Sequence, residues 1–308
     1  GAEAPPPTTA GPALLGRDRE CDDLAQLIMS RGCRAGLLYG ERGVGKTALL
    51  RAALVPRLAA SDVITLYCHD VLHPLPALAR ALADTTGLAP EDGEDPISFI
   101  DRVVTRALPQ QQFVFILDHM EAALAAEDDA VMSAMGDLFA RVVTRSAGRG
   151  RFLFCCDSDQ LHRFGVLEQR TGSLFPPTSR YQLLRIHPQL AQPVLAQILE
   201  RHRVPSSLAL AHAMMPALAG PDGLLPADLD RLALAVRALA ISSTSELDHI
   251  VGKGPLREQL WRAWIRAGAS ATGHEQSALA MLGEIASARP EVACTPGWLA
   301  ARLGLQPD

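Results

Sequence analysis

The stretch GERGVGKT, residues 40–47, places glycines, a lysine and a hydroxyl in the order G-x-x-x-x-G-K-T. That pattern is a phosphate-binding loop, and each residue type has a physical task. Gly40, Gly43 and Gly45 let the backbone wrap tightly and turn its N–H groups toward phosphate oxygens. Val44 and Ala48 share this turn and the start of the helix after it, and they join the candidate binding set. Lys46 supplies a charge for the β- and γ-phosphates, and Thr47 offers its hydroxyl to Mg2+. The helix that begins near Thr47 adds the positive end of its dipole.

Such a loop needs a carboxylate opposite it. The run FVFILD ends in Asp118, which is the candidate partner of Thr47 at a Mg2+ ion. Lys46, Asp118 and Glu121 form the candidate catalytic set. Hydrolysis also needs a group that polarises water, and His119 stands where many such ATPases carry glutamate. A neutral histidine orients water less well than a carboxylate does. These residues therefore support nucleotide binding more firmly than turnover.

The elements that must position these residues are legible as patterns. RAGLLYG, VITLYCH, FVFILD, FLFCCD and YQLLRI are continuous apolar runs. Parallel strands buried on both faces look like this. Helical stretches separate them: ALARALADTTG, ISFIDRVVTRAL and SAMGDLFARVVTR. Alternation of this kind predicts an α/β fold with a five-stranded parallel sheet. Before it, residues 13–30 read as a turn and an amphipathic helix. TALLRAALVPRLA reads as a helix with Pro56 in its last turn. After about residue 187 only helical patterns remain.

Composition narrows the class. The chain has 308 residues, 48% hydrophobic and 20% charged, with a net charge of −5. It is long enough for one large or two to three smaller cores. It lacks the strong basic field of a dedicated nucleic-acid surface. The pattern contains no membrane-length apolar run and no secretory signal, so a cytoplasmic protein is expected. Cys21, Cys33, Cys68, Cys155, Cys156 and Cys294 form no C-x-x-C pair, and are read as reduced, mostly buried thiols.

GRDRE, GERGVGKTALLRAALVPRL, FVFILDHMEAAL and FLFCCDSDQLHRF together resemble the STAND class of signalling ATPases. The resemblance covers roughly residues 14–240 and is most specific from Gly40 to Leu58. It implies an AAA+-like P-loop sheet, an α-helical lid and a winged-helix domain. The implied boundaries are a flexible leader at 1–12, a nucleotide-binding domain at 13–188, a lid at 189–250, and a truncated winged-helix region at 251–308. It also implies an ATP/ADP switch controlling assembly of an effector complex. Effector and sensor domains would lie outside this chain, with homo-oligomerisation on activation. By position, Leu15, Gly16 and Arg17 match an entry motif whose backbone lines the adenine pocket. Glu121 matches the first glutamate of a D-Q-F-E-E strand end. Pro226 in LLPADLDRL matches a lid proline that packs on the base.

The departures bear on mechanism. Ala122 replaces the second glutamate. Relatives carry an arginine after the fourth strand that senses the γ-phosphate, whereas this chain has Asp157, Ser158, Asp159 and Gln160. An aspartate there repels phosphate, and Arg163 is the nearest cation. Two other readings stay open. One is an AAA+-like ATPase acting on DNA, for which Arg141, Arg145, Arg149 and Arg151 are a local basic stretch. The other is a degenerate scaffold that binds nucleotide without turning it over.

Overall fold

The computed structural model describes residues 16–272 apart from 70, 127, 128, 173, 219, 221 and 253. Leu15 and the winged-helix-like run from residue 273 onward lie outside the described residues. The elements follow the sequence patterns closely. Helix α1 (Asp18–Met29) precedes β1 (Ala35–Gly40), and the phosphate loop leads from β1 into α2 (Lys46–Leu49). A π-helical turn (Leu50–Leu54) joins α2 to α3 (Val55–Ala59) without a break. Pro56 has no N–H to return to the preceding turn, and the wider π turn absorbs that loss.

Next come β2 (Val63–Cys68), α4 (Pro74–Thr86) and α5 (Pro96–Arg102), the last extended by a second π turn (Val103–Ala107). Asp95 caps α5 by accepting from the N–H groups of Ile97 and Ser98. Then follow β3 (Gln112–Leu117), α6 (Met120–Ala126), α7 (Asp129–Arg145) and β4 (Gly150–Asp157). A 3-10 turn (Ser158–Phe164), α8 (Gly165–Thr171) and β5 (Arg180–Leu183) complete the sheet region. The last strand ends three residues earlier than the apolar run YQLLRI suggests, because pairing with β1 stops at Gly40↔Leu183.

All five strands are parallel in the order β2-β3-β4-β1-β5. Both faces are covered, as the continuous apolar runs require. On one face Phe113, Phe115, Phe152 and Phe154 pack against α4, α5 and α7. On the other, Leu38, Val114, Ile116 and Leu153 pack against α1 and the helix after the phosphate loop. Successive side chains alternate between these two cores with the period of a strand. Phe152 stacks on Phe115 at a centroid distance of 4.8 Å and touches Phe139 at 5.3 Å.

Residues up to Ile186, together with Leu225–Ala227, form one compact unit, and the helices after it form a second. The second unit is all helical: α9 (Pro188–Arg201), α10 (Ser207–Leu218), α11 (Pro226–Ala238, its first two residues counted with the sheet unit), α12 (Thr244–Val251) and α13 (Leu256–Thr272). Leu195, Leu199, Leu210 and Met214 are fully buried there. None of the described helices is long and apolar enough to cross a membrane.

The aromatic stack lies in the core on one face of the sheet. Phe152→Ala should destabilise the protein by about 3–5 kcal/mol, the usual cost of emptying a buried aromatic site. Urea unfolding checks this, and a loss below about 1 kcal/mol would show that the stack is not central to the core.

Candidate functional site

Because the sheet is parallel, the carboxyl ends of all its strands lie along one edge. The strand order reverses direction at β1, which sits between β4 and β5. Open α/β sheets bind ligands in the crevice outside such a switch point. The phosphate loop emerges there. Gly43 and Gly45 hold φ values of 84° and 97°, the left-handed backbone that glycine adopts at no steric cost. Gly40 is required for a different reason, since a Cβ on it would stand 2.6 Å from the carbonyl oxygen of Leu183.

Register then sets what faces the loop. Gly40 is opposite Asp157 at the end of β4. This brings the Lys46 ammonium to 2.6 Å from Asp157 Oδ1, and it also donates to the carbonyls of Gly40 (3.0 Å) and Glu41 (3.2 Å). The lysine is nine-tenths buried. A buried ammonium needs a full set of acceptors, and these three groups supply it. Asp157, read from the sequence as a group that repels phosphate, is therefore the ionic partner of the loop lysine.

On the other side of β4, Asp118 follows β3 and donates its backbone N–H to Cys68 at the end of β2, at 3.0 Å. Its side chain is 1% exposed. Burial alone would raise this carboxyl. Hydrogen bonds, first from Tyr67 (2.7 Å) and then from Cys155, outweigh burial and hold it below the usual carboxylate range. The same contact pushes Tyr67 up, through burial first and Asp118 second. Cys155 lies fully buried beneath Asp118, and burial followed by that carboxylate pushes its thiol well up. Burial keeps it unreactive, and Cys21, Cys33, Cys68 and Cys156 are likewise buried and outside any disulfide.

His119 adopts left-handed backbone, φ 60°, immediately after Asp118. Its ring reaches Thr47 Oγ1 at 3.1 Å through Nε2 and Glu121 Oε1 at 3.0 Å through Nδ1. Glu121 is thus linked to Thr47 through the histidine. Its other oxygen, Oε2, is buried without a hydrogen-bond partner among the described residues. Glu121, Asp157, Asp159, Glu41, Arg42 and Arg163 share a cavity of about 570 Å³.

The entry residues act through side chains as well as backbone. Arg17 is 5% exposed and donates to the carbonyls of Val44 (3.3 Å) and Leu184 (2.7 Å), with Glu20 as its ionic partner. It ties the loop to the end of β5. Gly16 turns at φ 72° just before it. Glu41 adds a bidentate pair with Arg185 at 2.6 and 2.7 Å. Pro226 lies against Gly45, and the Ala227 N–H donates to Gly43 O at 3.3 Å.

The structure thus brings together Gly40, Gly43, Val44, Gly45, Lys46, Thr47, Asp118 and Glu121. Sequence reasoning missed Tyr67, His69 and Cys155, which sit within or just after apolar runs and carry no local sign of a polar task. Their signal is the pairing Tyr67↔Ile116 and Leu117↔Phe154, which sets all three around Asp118. The basic stretch disperses. Arg145 pairs with Asp101, and the 8%-exposed Arg151 donates to Gln112 at 2.7 Å.

A glycine cradle at a sheet switch point, a lysine at its heart and a hydroxyl beside a buried carboxylate define a P-loop nucleotide-binding site. A family model for the AAA ATPase domain matches residues 13–168, just over half of the chain. The chain belongs to that family and carries its general character, a nucleotide-binding ATPase domain. The fold agrees with solved structures. Aeropyrum pernix ORC2, in its ADPNP–ADP complexes, is 19% identical with a TM-score of 0.58, over 96% of this chain and 81% of that one. A Walker-type ATPase of Pyrococcus abyssi is 14% identical with a TM-score of 0.54, over 86% and 75%. Drosophila ORC bound to DNA is 15% identical with a TM-score of 0.51, over 96% and 81%. At these identities the likeness is one of fold. No curated protein matches by sequence.

Two outcomes are expected from the geometry. Asp157→Asn frees Lys46 from a competing carboxylate, so ATP affinity should rise about tenfold, which is ~1.4 kcal/mol. The nucleotide-free protein should melt at a lower temperature. Calorimetric titration and a thermal melt read both, and unchanged affinity would mean the ion pair does not compete with phosphate. Asp118 sits below its unfolded value, so its contribution to stability is full above about pH 4 and lost as pH falls through the folded value. Tyr67→Phe removes a donor and raises that value. Its acid-unfolding midpoint should move to higher pH, and an unmoved midpoint would show that Tyr67 does not stabilise the carboxylate.

Proposed function

We propose that the chain is the core of an ATP/ADP switch of the STAND type, with slow or absent hydrolysis. The observation that carries this reading is the placement of the loop lysine. Lys46 is held by a carboxylate at the end of β4, where related switches carry a γ-phosphate-sensing arginine. A terminal phosphate entering the loop has to displace Asp157 from Lys46. Asp157 repels an entering nucleoside diphosphate less than the more highly charged triphosphate. The arrangement therefore favours the diphosphate state, the resting state of a switch.

The residues fit the nucleotide and its cation. The glycines form the cradle, Lys46 would hold the phosphates, and Thr47 with Asp118 would hold the ion. The bound nucleotide would supply a phosphoanhydride bond open to attack by water. Glu121 is the group with spare acceptor capacity for such a water, through its unpartnered Oε2. Its other oxygen is engaged by His119, which fits slow turnover. Gly16, Arg17 and Pro226 complete the binding set, with Leu15 preceding them. The division at 13–188, 189–250 and 251–308 into nucleotide-binding, lid and winged-helix parts belongs to the same reading. So do effector domains outside this chain, assembly into a homo-oligomer and a cytoplasmic setting. Action on DNA has less support, because Arg145 and Arg151 are engaged within the fold.

The test is to denature the purified protein and identify what it releases, beside Lys46→Ala. Stoichiometric ADP, absent from the variant, is the expected result. ADP at a hundred times its Kd should stabilise the wild type by about 2.7 kcal/mol, with no effect on the variant. Tightly held ATP that survives days with Mg2+ would instead indicate the scaffold.

A further inference from the structure

The cation position of this site carries nitrogen as well as oxygen. An ionised carboxylate only accepts hydrogen bonds, so the contact between Glu121 Oε1 and His119 Nδ1 places the ring proton on Nδ1. In the neutral ring Nε2 then keeps its lone pair. It points at Thr47 Oγ1, 3.1 Å away, and lies 3.7 Å from Asp118 Oδ2. Those two oxygens, one from the loop and one from the end of β3, are the ones proposed to face a cation. A carboxylate behind a histidine whose far nitrogen faces the ion is the support that metal-binding histidines use, since it orients the ring and raises its basicity.

A second imidazole completes the group. His69 follows β2, next to Asp118 across the β2–β3 pairing. Its ring meets that of His119 edge-on, with centroids 4.9 Å apart. One ligand atom each from His69, Asp118 and His119 fall within 4.8 Å of one another. Bonds of about 2.1 Å need ligand atoms roughly 3–3.5 Å apart, and His69 is exposed, so a turn of its side chain can close the gap. The left-handed backbone of His119 adds weight. Such a conformation costs about 1–3 kcal/mol in a residue with a side chain, and it tends to persist where a site needs it.

We propose that His119 and His69 are direct ligands, with Asp118 and Thr47, of the divalent cation at the nucleotide site, which therefore takes a first-row transition dication in preference to Mg2+. Mg2+ demands oxygen ligands in near-ideal octahedral geometry and gives up water reluctantly. Imidazole shifts preference toward the later first-row ions, whose affinity for nitrogen rises along the series from Mn2+. The inference rests on reading the loop as a nucleotide site, but the two can fail separately.

Pulsed electron paramagnetic resonance of Mn2+ bound to the whole, metal-stripped chain is the test. Protein labelled with 15N and unlabelled ADP keep imidazole couplings apart from those of adenine. Coupling to protein 15N of directly bound imidazole is expected in the wild type, reduced in His69→Ala and lost in His119→Ala. His119→Ala should weaken Mn2+ binding at least roughly tenfold while changing Mg2+ binding by less than about twofold. Bound Mn2+·ADP without protein nitrogen coupling overturns the inference and leaves the nucleotide reading standing. Nitrogen coupling from Mn2+ alone, in a protein that binds no ADP, supports the metal site and overturns the nucleotide reading. No binding of either ligand overturns both. The decisive spectrum is that of the wild type, so a variant that fails to fold does not obscure the result.

Discussion

A buried ammonium group organises this site. Lys46 leaves the loop pointing inward, where water cannot solvate it, and its charge has to be met by the protein. The Gly40 and Glu41 carbonyls meet part of it and Asp157 meets the rest. That need constrains everything nearby. The loop must curl back on itself, which requires glycines at positive φ. Strand β4 must end level with β1, which the pairing Gly40↔Asp157 provides. The same charge is what a phosphate would seek, so one contact both stabilises the loop and sets the terms on which a ligand enters.

The two sides of β4 divide the chemistry. On the β1 side an acid pairs with a base and neutralises it. On the β3 side the buried carboxylate of Asp118 is held ionised by donors that have little freedom to move. Burial by itself would protonate it. Tyr67 and Cys155 reverse that sign by donating to it in a site shielded from water. An ionised carboxylate kept dry beside a threonine hydroxyl is suited to a cation. His119 connects this oxygen pair to Glu121, so Thr47, His119 and Glu121 are joined by hydrogen bonds. A change at any one of them reaches the others.

Membership in the AAA ATPase family and the sheet order explain why these groups meet at all. The order β2-β3-β4-β1-β5 puts the loop strand between β4 and β5, with the ends of β2, β3 and β4 ranged along one side. Arg17 and the Glu41–Arg185 pair fasten the loop to the chain beyond β5. These tethers limit how far the loop can shift.

Local chemistry determined a large share of this protein by sequence alone. GERGVGKT dictates a phosphate loop because glycine turns that way at no steric cost and a lysine there reaches phosphate. The continuous apolar runs dictate parallel strands because both faces of each must be buried. Asp118 stands out because a charge ending such a run needs a purpose. Other features depended on which residues become neighbours. Asp157 reads in isolation as a repulsive group, and register makes it the partner of Lys46. His119 reads as a weak substitute for a water-orienting glutamate, and left-handed backbone swings its ring onto Thr47. Tyr67, His69 and Cys155 read as parts of apolar strand runs until strand pairing sets all three beside one buried carboxylate. Electrostatic roles depend on distances of a few ångströms between residues far apart in the chain, and those distances exist only in the folded sheet.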